Sequence, residues 1–391
     1  LKFNDLAGRD TRVVDYVRQL PGHEASLGRG SRIAARLRLD LPLLVLLLAL
    51  TGYGLVVLYS AADGDMGAVV RQARYFALGF VVMFAAAQFP LVRYQRWSPW
   101  VYLGGVFLLV GVMFFGVGAK GAQRWLDLGG FRFQPSEIMK LLVPMTVAWY
   151  LADRVLPPRL PYLLACFGLI VLPAALILQQ PDLGTALLIA ASGLFVVFMA
   201  GMGWRYIFGA LALALASAWP MWTFVLKDYQ RQRILTLLNP ESDKLGAGWN
   251  IIQSKTAIGS GGWAGKGWMA GTQSHLDFLP ESHTDFIIAV LAEEFGLRGV
   301  VLLLALYLLI LLRGFWIGLN AQSTYGRILA GSLTLTFFVY IFVNMGMVSG
   351  LLPVVGVPLP LVSAGGTSVV TLLAGFGLLM AIASEQRVIG Q

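Results

Sequence analysis

The chain reads as long apolar runs separated by short polar breaks. The stretches 41–59, 103–118, 163–178 and 300–312 hold no charged residue at all. About 20 apolar residues cross a hydrocarbon core of about 30 Å as helix. Spanning β-strands would instead alternate over about 10 residues, and these runs do not alternate. The pattern predicts spans near 41–60, 72–90, 99–118, 136–152, 161–179, 184–201, 204–226, 297–317, 325–350 and 362–384. That is an all-α polytopic integral membrane protein of about ten transmembrane helices. Residues 1–39 form a basic leading segment, and 40–391 form the membrane unit.

Composition agrees with this reading. Of 391 residues, 58% are hydrophobic and only 13% charged, where a soluble domain carries about a quarter. Charge then orients the spans. The leading segment holds Arg9, Arg12, Arg18, Arg29, Arg32, Arg36 and Arg38. Alternate loops hold Arg93 and Arg96, Arg154 and Arg159, Arg205, then Arg313 and Arg327. With ten spans these all fall on one side, so the positive-inside rule predicts that both termini are cytoplasmic. The net charge of +9 is thereby read as topological rather than as a nucleic-acid footprint. Cys166 is the only cysteine and lies inside an apolar run, which excludes a disulfide framework. Three histidines, His23, His275 and His283, do not suit a zinc site. The first apolar run begins too late and runs too long for a cleaved signal peptide.

The outer side receives the loops 61–67, 119–135, 179–183, 227–283 and 351–361. The loop 227–283 is the largest, and loops much beyond about 15 residues are usually functional or disordered. It carries Gly259, Gly261, Gly262, Gly265, Gly267 and Gly271 together with Trp249, Trp263, Trp268 and Phe278. Order against the membrane surface is expected, although interfacial belts also attract Trp.

Four constellations on this side could carry chemistry. Pro135 and Ser136 open a helix with Glu137 in its first turn and Lys140 on the same face. A cap and a local ion pair would explain them, but an ammonium inside a span is costly unless paired or facing a wet cavity. Gln179-Gln180-Pro181-Asp182 reads equally well as a tight turn with a capping acid. Ser282-x-x-Asp285 could be an ordinary capping pair. However, the apolar stretch from Phe286 to Phe315 is too long for one upright span, and Glu293, Glu294 and Arg298 interrupt it. The segment 285–296 is therefore expected as an outer helix, with Asp285 at a cavity mouth as a candidate general base. Finally, Pro353, Pro358 and Pro360 precede Ser363-Ala-Gly-Gly366-Thr-Ser. Such breaks at membrane depth line cavities or are buried in protein, and the N–H groups at the helix start could hold a phosphate.

The strings KGAQRWL at 120–126, QPSEIMK at 134–140, QQPDLGTALL at 179–188 and YQRQRI at 229–234 form an ordered series. They continue with NPESDKLGAGWNIIQSKTAIGSGG at 239–262, GKGWMAGTQSHLDFLPESHTDFI at 265–287, AEEFG at 292–296 and PLPLVSAGGTS at 358–368. In these strings the chain resembles the shape, elongation, division and sporulation (SEDS) family, and GTQS followed by FLPE resembles its elongation branch. The resemblance implies a peptidoglycan glycosyltransferase. It would polymerise lipid II into β-1,4-linked strands at the periplasmic face of the inner membrane. It implies Asp285 as the essential acid, Arg124 and Trp125 as an outer-loop pair, and Glu137 and Lys140 as an intramembrane pair. Arg231 and Arg233 are suitably charged to help hold the pyrophosphate, Ser363 and Gly366 belong to the helix start that could hold phosphate, and a divalent cation (Mg or Mn) could add to them. The implied partners are a class B penicillin-binding protein and other elongation-complex membrane proteins. A lipid II flippase is the rival reading, and a catalytically inert scaffold a third. A flippase should spread ionisable groups through the midplane, whereas here they collect near the outer ends.

Overall fold

The computed structural model describes residues 38–119, 122–127, 132–243, 246–275 and 282–389. Nearly all of the basic leading segment, together with Lys120, Phe278 and Glu281, lies outside them. The first three helices are α1 (Leu41–Ala61), α2 (Met66–Gln88) and α3 (Leu91–Phe115). A small antiparallel sheet follows, of β1 (Val117–Ala119), β2 (Ala122–Asp127) and β3 (Arg132–Phe133), with β2 central. Next come α4 (Pro135–Ala152), α5 (Leu160–Gln179), α6 (Leu183–Met199) and α7 (Trp204–Pro220), the last extended by a π-helical turn at Met221–Val225. The large loop forms α8 (Asp228–Leu238), α9 (Ala247–Gly261) and the short α10 (Thr272–His275). The chain ends in α11 (Ile287–Leu319), α12 (Thr324–Val348) and α13 (Thr367–Ile389).

The protein is a polytopic, all-helical membrane protein. Eight of these helices are long and apolar enough to cross a bilayer on their own composition. α4 and α6 complete the expected ten. They are shorter, and α4 carries the buried Glu137 and Lys140. Hydrophobic burial between helices does little in lipid, so close packing of small residues matters more. At the crossing of α2 and α13, a Cβ added to Gly377 would sit 2.5 Å from the carbonyl oxygen of Met83, and one on Gly79 would meet Leu373 at 2.5 Å. α7, by contrast, buries none of its residues.

Helix starts follow local chemistry. Asp40 caps α1 by accepting from the Leu43 N–H at 3.1 Å, and the same carboxylate takes both Nε and Nη2 of Arg313 on α11, at 3.0 and 2.6 Å. Several boundaries differ from the apolar pattern, α2 beginning at Met66 rather than 72. α3 begins at Leu91, directly after Pro90, so Arg93 and Arg96 ride on its first turns rather than in a loop. α13 begins at Thr367 rather than near 362, because Leu361 stands at a φ of +60° and the Ala364 N–H is drawn to His283 O, neither of which continues a helix. The sheet at 117–133 was not expected from the sequence at all.

The apolar stretch from Ile287 is not one straight helix. It breaks at Gly296, whose φ of +65° and ψ of −163° no side chain adopts comfortably. The loop after α9 straps into this break: the Leu297 N–H donates to the Gly262 carbonyl at 2.9 Å, and the Gly267 N–H to that of Glu294 at 3.0 Å. Glu293, fully buried, gathers the strap. Its Oε1 accepts from Lys266 Nζ at 2.6 Å, from the Thr272 and Gln273 N–H groups at 2.8 and 3.0 Å, and from Thr272 Oγ1 at 3.1 Å.

Candidate functional site

α4 opens on Pro135, where a missing N–H costs nothing, and places Glu137 in the turn that favours an acid. One turn on, Lys140 Nζ donates to Glu137 Oε1 at 2.7 Å, both side chains being 8% exposed. The ring of Tyr340, from α12, lies 5.3 Å from the same ammonium. Glu137 Oε2 is buried and has no hydrogen-bond partner among the described residues. This leaves an acceptor oxygen at the wall of the site.

Asp182 caps α6, taking the Thr185 N–H at 3.2 Å. Arg124 reaches from β2 onto the same turn: its Nε donates to Gln180 O at 3.3 Å, its Nη2 to Pro181 O, and its Nη1 is 3.8 Å from Asp182. The guanidinium is thus locked by the turn between α5 and α6. Asp285 lies in the turn 282–286 that precedes α11, facing the irregular chain around Gly356.

These groups surround one cavity of about 370 Å³. Arg124, Trp125, Glu137, Lys140, Arg233, Asp285 and Gly366 all line it, together with Asp182 and Tyr340. Two other expected residues stand apart. Ser363 sits behind the wall, where its Oγ donates to Thr284 O at 2.5 Å and accepts from the Leu359 N–H at 2.8 Å. Arg231 does not line the cavity: its Nη2 donates to Thr223 O at 3.0 Å, and its Nη1 is 3.6 Å from Asp228. An i, i+3 acid and the end of the preceding helix hold it away.

A second cavity, of about 520 Å³, adjoins the first across Trp125 and residues 364–367, and is lined by Arg71, Gln72, Tyr75 and His283. An almost wholly apolar groove of about 350 Å³ runs from Tyr75 and Thr367 between α2, α4 and α13, past Leu78, Val82, Ile138 and Ala374. Sequence reasoning missed Gln72, Tyr340 and Asn344. Asn344 carried a usable signal, as an amide side chain well inside the apolar span 325–350. The other two carried none, since each becomes part of the site only through a neighbouring helix.

A chamber lined by charges of both signs within a helical membrane bundle, adjoining an apolar groove, defines the class: a polytopic membrane protein with a polar site set beside an apolar one. Comparison with known proteins narrows this. The family model FTSW_RODA_SPOVE, described as "Cell cycle protein", matches residues 41–388. The chain belongs to that family. The "Peptidoglycan glycosyltransferase MrdB" of Escherichia coli (strain K12) is 53% identical over 356 residues, which cover 91% of this chain and 96% of that protein. A "Probable peptidoglycan glycosyltransferase FtsW" of Geobacter metallireducens is 37% identical, covering 90% and 96%. Among solved structures, the rod shape determining protein RodA of Thermus thermophilus matches with a TM-score of 0.67 at 30% identity, over 89% of this chain and 97% of that one. A chain from a structure titled "Structural coordination of polymerization and crosslinking by a peptidoglycan synthase complex" matches with a TM-score of 0.79 at 33% identity, covering 89% and 98%.

Proposed function

We propose that this chain is a peptidoglycan glycosyltransferase of the elongation type. It polymerises lipid II at the periplasmic face of the inner membrane, in company with a class B penicillin-binding protein and other elongation-complex membrane proteins. The observation that carries the reading is the single cavity that gathers Asp285, Lys140, Glu137, Arg124 and Arg233. Both termini are then cytoplasmic, and the loop 227–283 lies on the periplasmic side.

In this reading Asp285 accepts the proton of the 4-hydroxyl of the acceptor GlcNAc. The freed oxygen attacks the anomeric carbon of a lipid-linked MurNAc. The bond to the pyrophosphate breaks on the opposite face, so the α-linked donor becomes a β-1,4 linkage and undecaprenyl pyrophosphate departs. Negative charge grows on that leaving group, and fixed cations in a confined site stabilise it. Arg124, Arg233 and Lys140 are placed to do so, Arg124 with its guanidinium already held by two carbonyls. The apolar groove beside Tyr75 and Thr367 suits the polyprenyl tail. Two adjoining chambers suit a reaction that joins two saccharides.

The residues present do not fit a protein-held divalent ion. Among the described residues no three His, Cys, Asp or Glu side chains are grouped closely enough to hold a metal ion. One oxygen of Glu137 is taken by Lys140, and Asp182 caps α6. No step is therefore routed through a metal.

The test is polymerisation of lipid II by the purified protein with its penicillin-binding partner, wild type beside Asp285→Asn. The variant is expected to lose glycan synthesis by at least about 100-fold, the range of general-base catalysis. Strands made at the wild-type rate by Asp285→Asn would overturn the assignment. Scrambling of lipid II across vesicles without strand formation would favour the flippase.

A further inference from the structure

Asp285 stands in a turn, 282–286, ahead of the first residue of α11. The three carbonyls of His283, Thr284 and Asp285 are taken in succession by donors from other elements. The Ala364 N–H donates to His283 O at 2.9 Å, and Ser363 Oγ to Thr284 O at 2.5 Å. Asn344 Nδ2, from α12, donates to Asp285 O at 2.8 Å and also to Val357 O at 2.8 Å. One amide therefore ties the catalytic turn to the irregular segment that faces it. The amide orientation follows from its neighbours, since only the NH₂ end can serve two carbonyls.

Asn344 is an expensive residue at this position. It is 0% exposed within a membrane-length helix, and its Oδ1 is buried without a hydrogen-bond partner among the described residues. An unsatisfied buried oxygen costs free energy that a well-packed apolar residue would not. The bridge it makes is the compensating feature. Gly356, beside Val357, has a φ of +76°, and Asp285 Oδ2 lies only 3.5 Å from where its Cβ would stand. The two bonds from Asn344 join the backbones on either side of that gap.

We propose that Asn344 is a positioning residue for the transfer step. It holds the backbone of Asp285 at a fixed distance from the irregular segment 355–358, so that the carboxylate meets the acceptor hydroxyl in register. The proposal rests on the reading of Asp285 as the base. It acts through Asp285 and does not touch substrate.

The experiment uses the full chain with its penicillin-binding partner and lipid II, and compares Asn344→Leu, Asn344→Gln and Asp285→Asn. Displacing a reacting group by about 1 Å costs about 100-fold in rate. Asn344→Leu is therefore expected to lower kcat by about 30- to 100-fold, with KM for lipid II within about threefold of wild type. The acid limb of its kcat–pH profile should move, because the setting of Asp285 changes. Asn344→Gln, which keeps both donors, should recover a measurable part of kcat. If Asn344→Leu does not yield folded protein, Asn344→Ser supplies the same kcat–KM split and pH profile. An unchanged kcat per folded complex, with an unchanged pH limb, would overturn the proposal while an inactive Asp285→Asn left the base assignment standing. An active Asp285→Asn would overturn both.

Discussion

The Glu137–Lys140 pair shows what a buried charge does in a membrane site. Each group alone would be prohibitive at this depth, and together they leave one carboxylate oxygen without a partner among the described residues. Well-packed apolar side chains often match or exceed the stability of such a pair, whereas removal of one partner strands the other at a cost of about 3–5 kcal/mol. Lys140→Met should therefore destabilise the protein strongly, and the double variant Glu137→Leu with Lys140→Met should regain most of that loss. Neither should polymerise if Lys140 stabilises the leaving group as proposed, because the cavity loses that cation. Thermal unfolding in nanodiscs and lipid II turnover, measured on the same samples, separate the two effects. An active double variant would show that the pair is structural only.

At the level of elements, the break at Gly296 and the strap across it form one device. Glu293 receives four hydrogen bonds on a single oxygen, two of them from the backbone of Thr272 and Gln273. Bonds to a buried charge contribute about 1.5–3 kcal/mol each in such settings. Glu293→Ala should release the strap without unfolding the bundle. Hydrogen exchange at Thr272 and Gln273 should accelerate by roughly 30-fold, equivalent to about 2 kcal/mol of local opening, while amides in α12 keep their protection. Parallel loss of protection in α12 would mean that the strap and the bundle are one cooperative unit. The length of the apolar stretch from Phe286 made a break legible in the sequence, because a bilayer sets how much helix it accepts. The partner of that break was not legible. Nothing in the spacing of Gly262, Lys266 and Thr272 states that they fold back onto Glu293. The sheet was hidden for another reason: strands of two to six residues are too short for a period of two to be distinguished from chance. Asp285, Lys140 and Arg124 were readable as polar breaks at helix ends, but the wall that joins them is made by Tyr340, Val357 and Gly366 from two other segments. Convergence of that kind belongs to tertiary structure alone.

For the molecule as a whole, the distribution of charge predicts which membrane face holds the site. The end opposite the cavity presents Arg154 and Arg159 between α4 and α5, and Arg205 and Arg327 in the first turns of α7 and α12, and Asp40 and Arg313 lock α1 to α11 at that same end. Short basic loops remain on the cytoplasmic side, and the short loops 61–67, 179–183 and 351–361 at the cavity end hold no Lys or Arg. The site should therefore face outward. Single cysteines can test this once Cys166, which is fully buried, is replaced by alanine. Ser242→Cys, in the exposed turn after α8, should react with a membrane-impermeant maleimide on intact spheroplasts. Asn320→Cys, in the exposed turn between α11 and α12, should react only after permeabilisation. The reverse pattern would place Asp285 in the cytoplasm. A polymerase of extracytoplasmic glycan could not work from there, so that result would refute the proposed function more directly than any loss of activity.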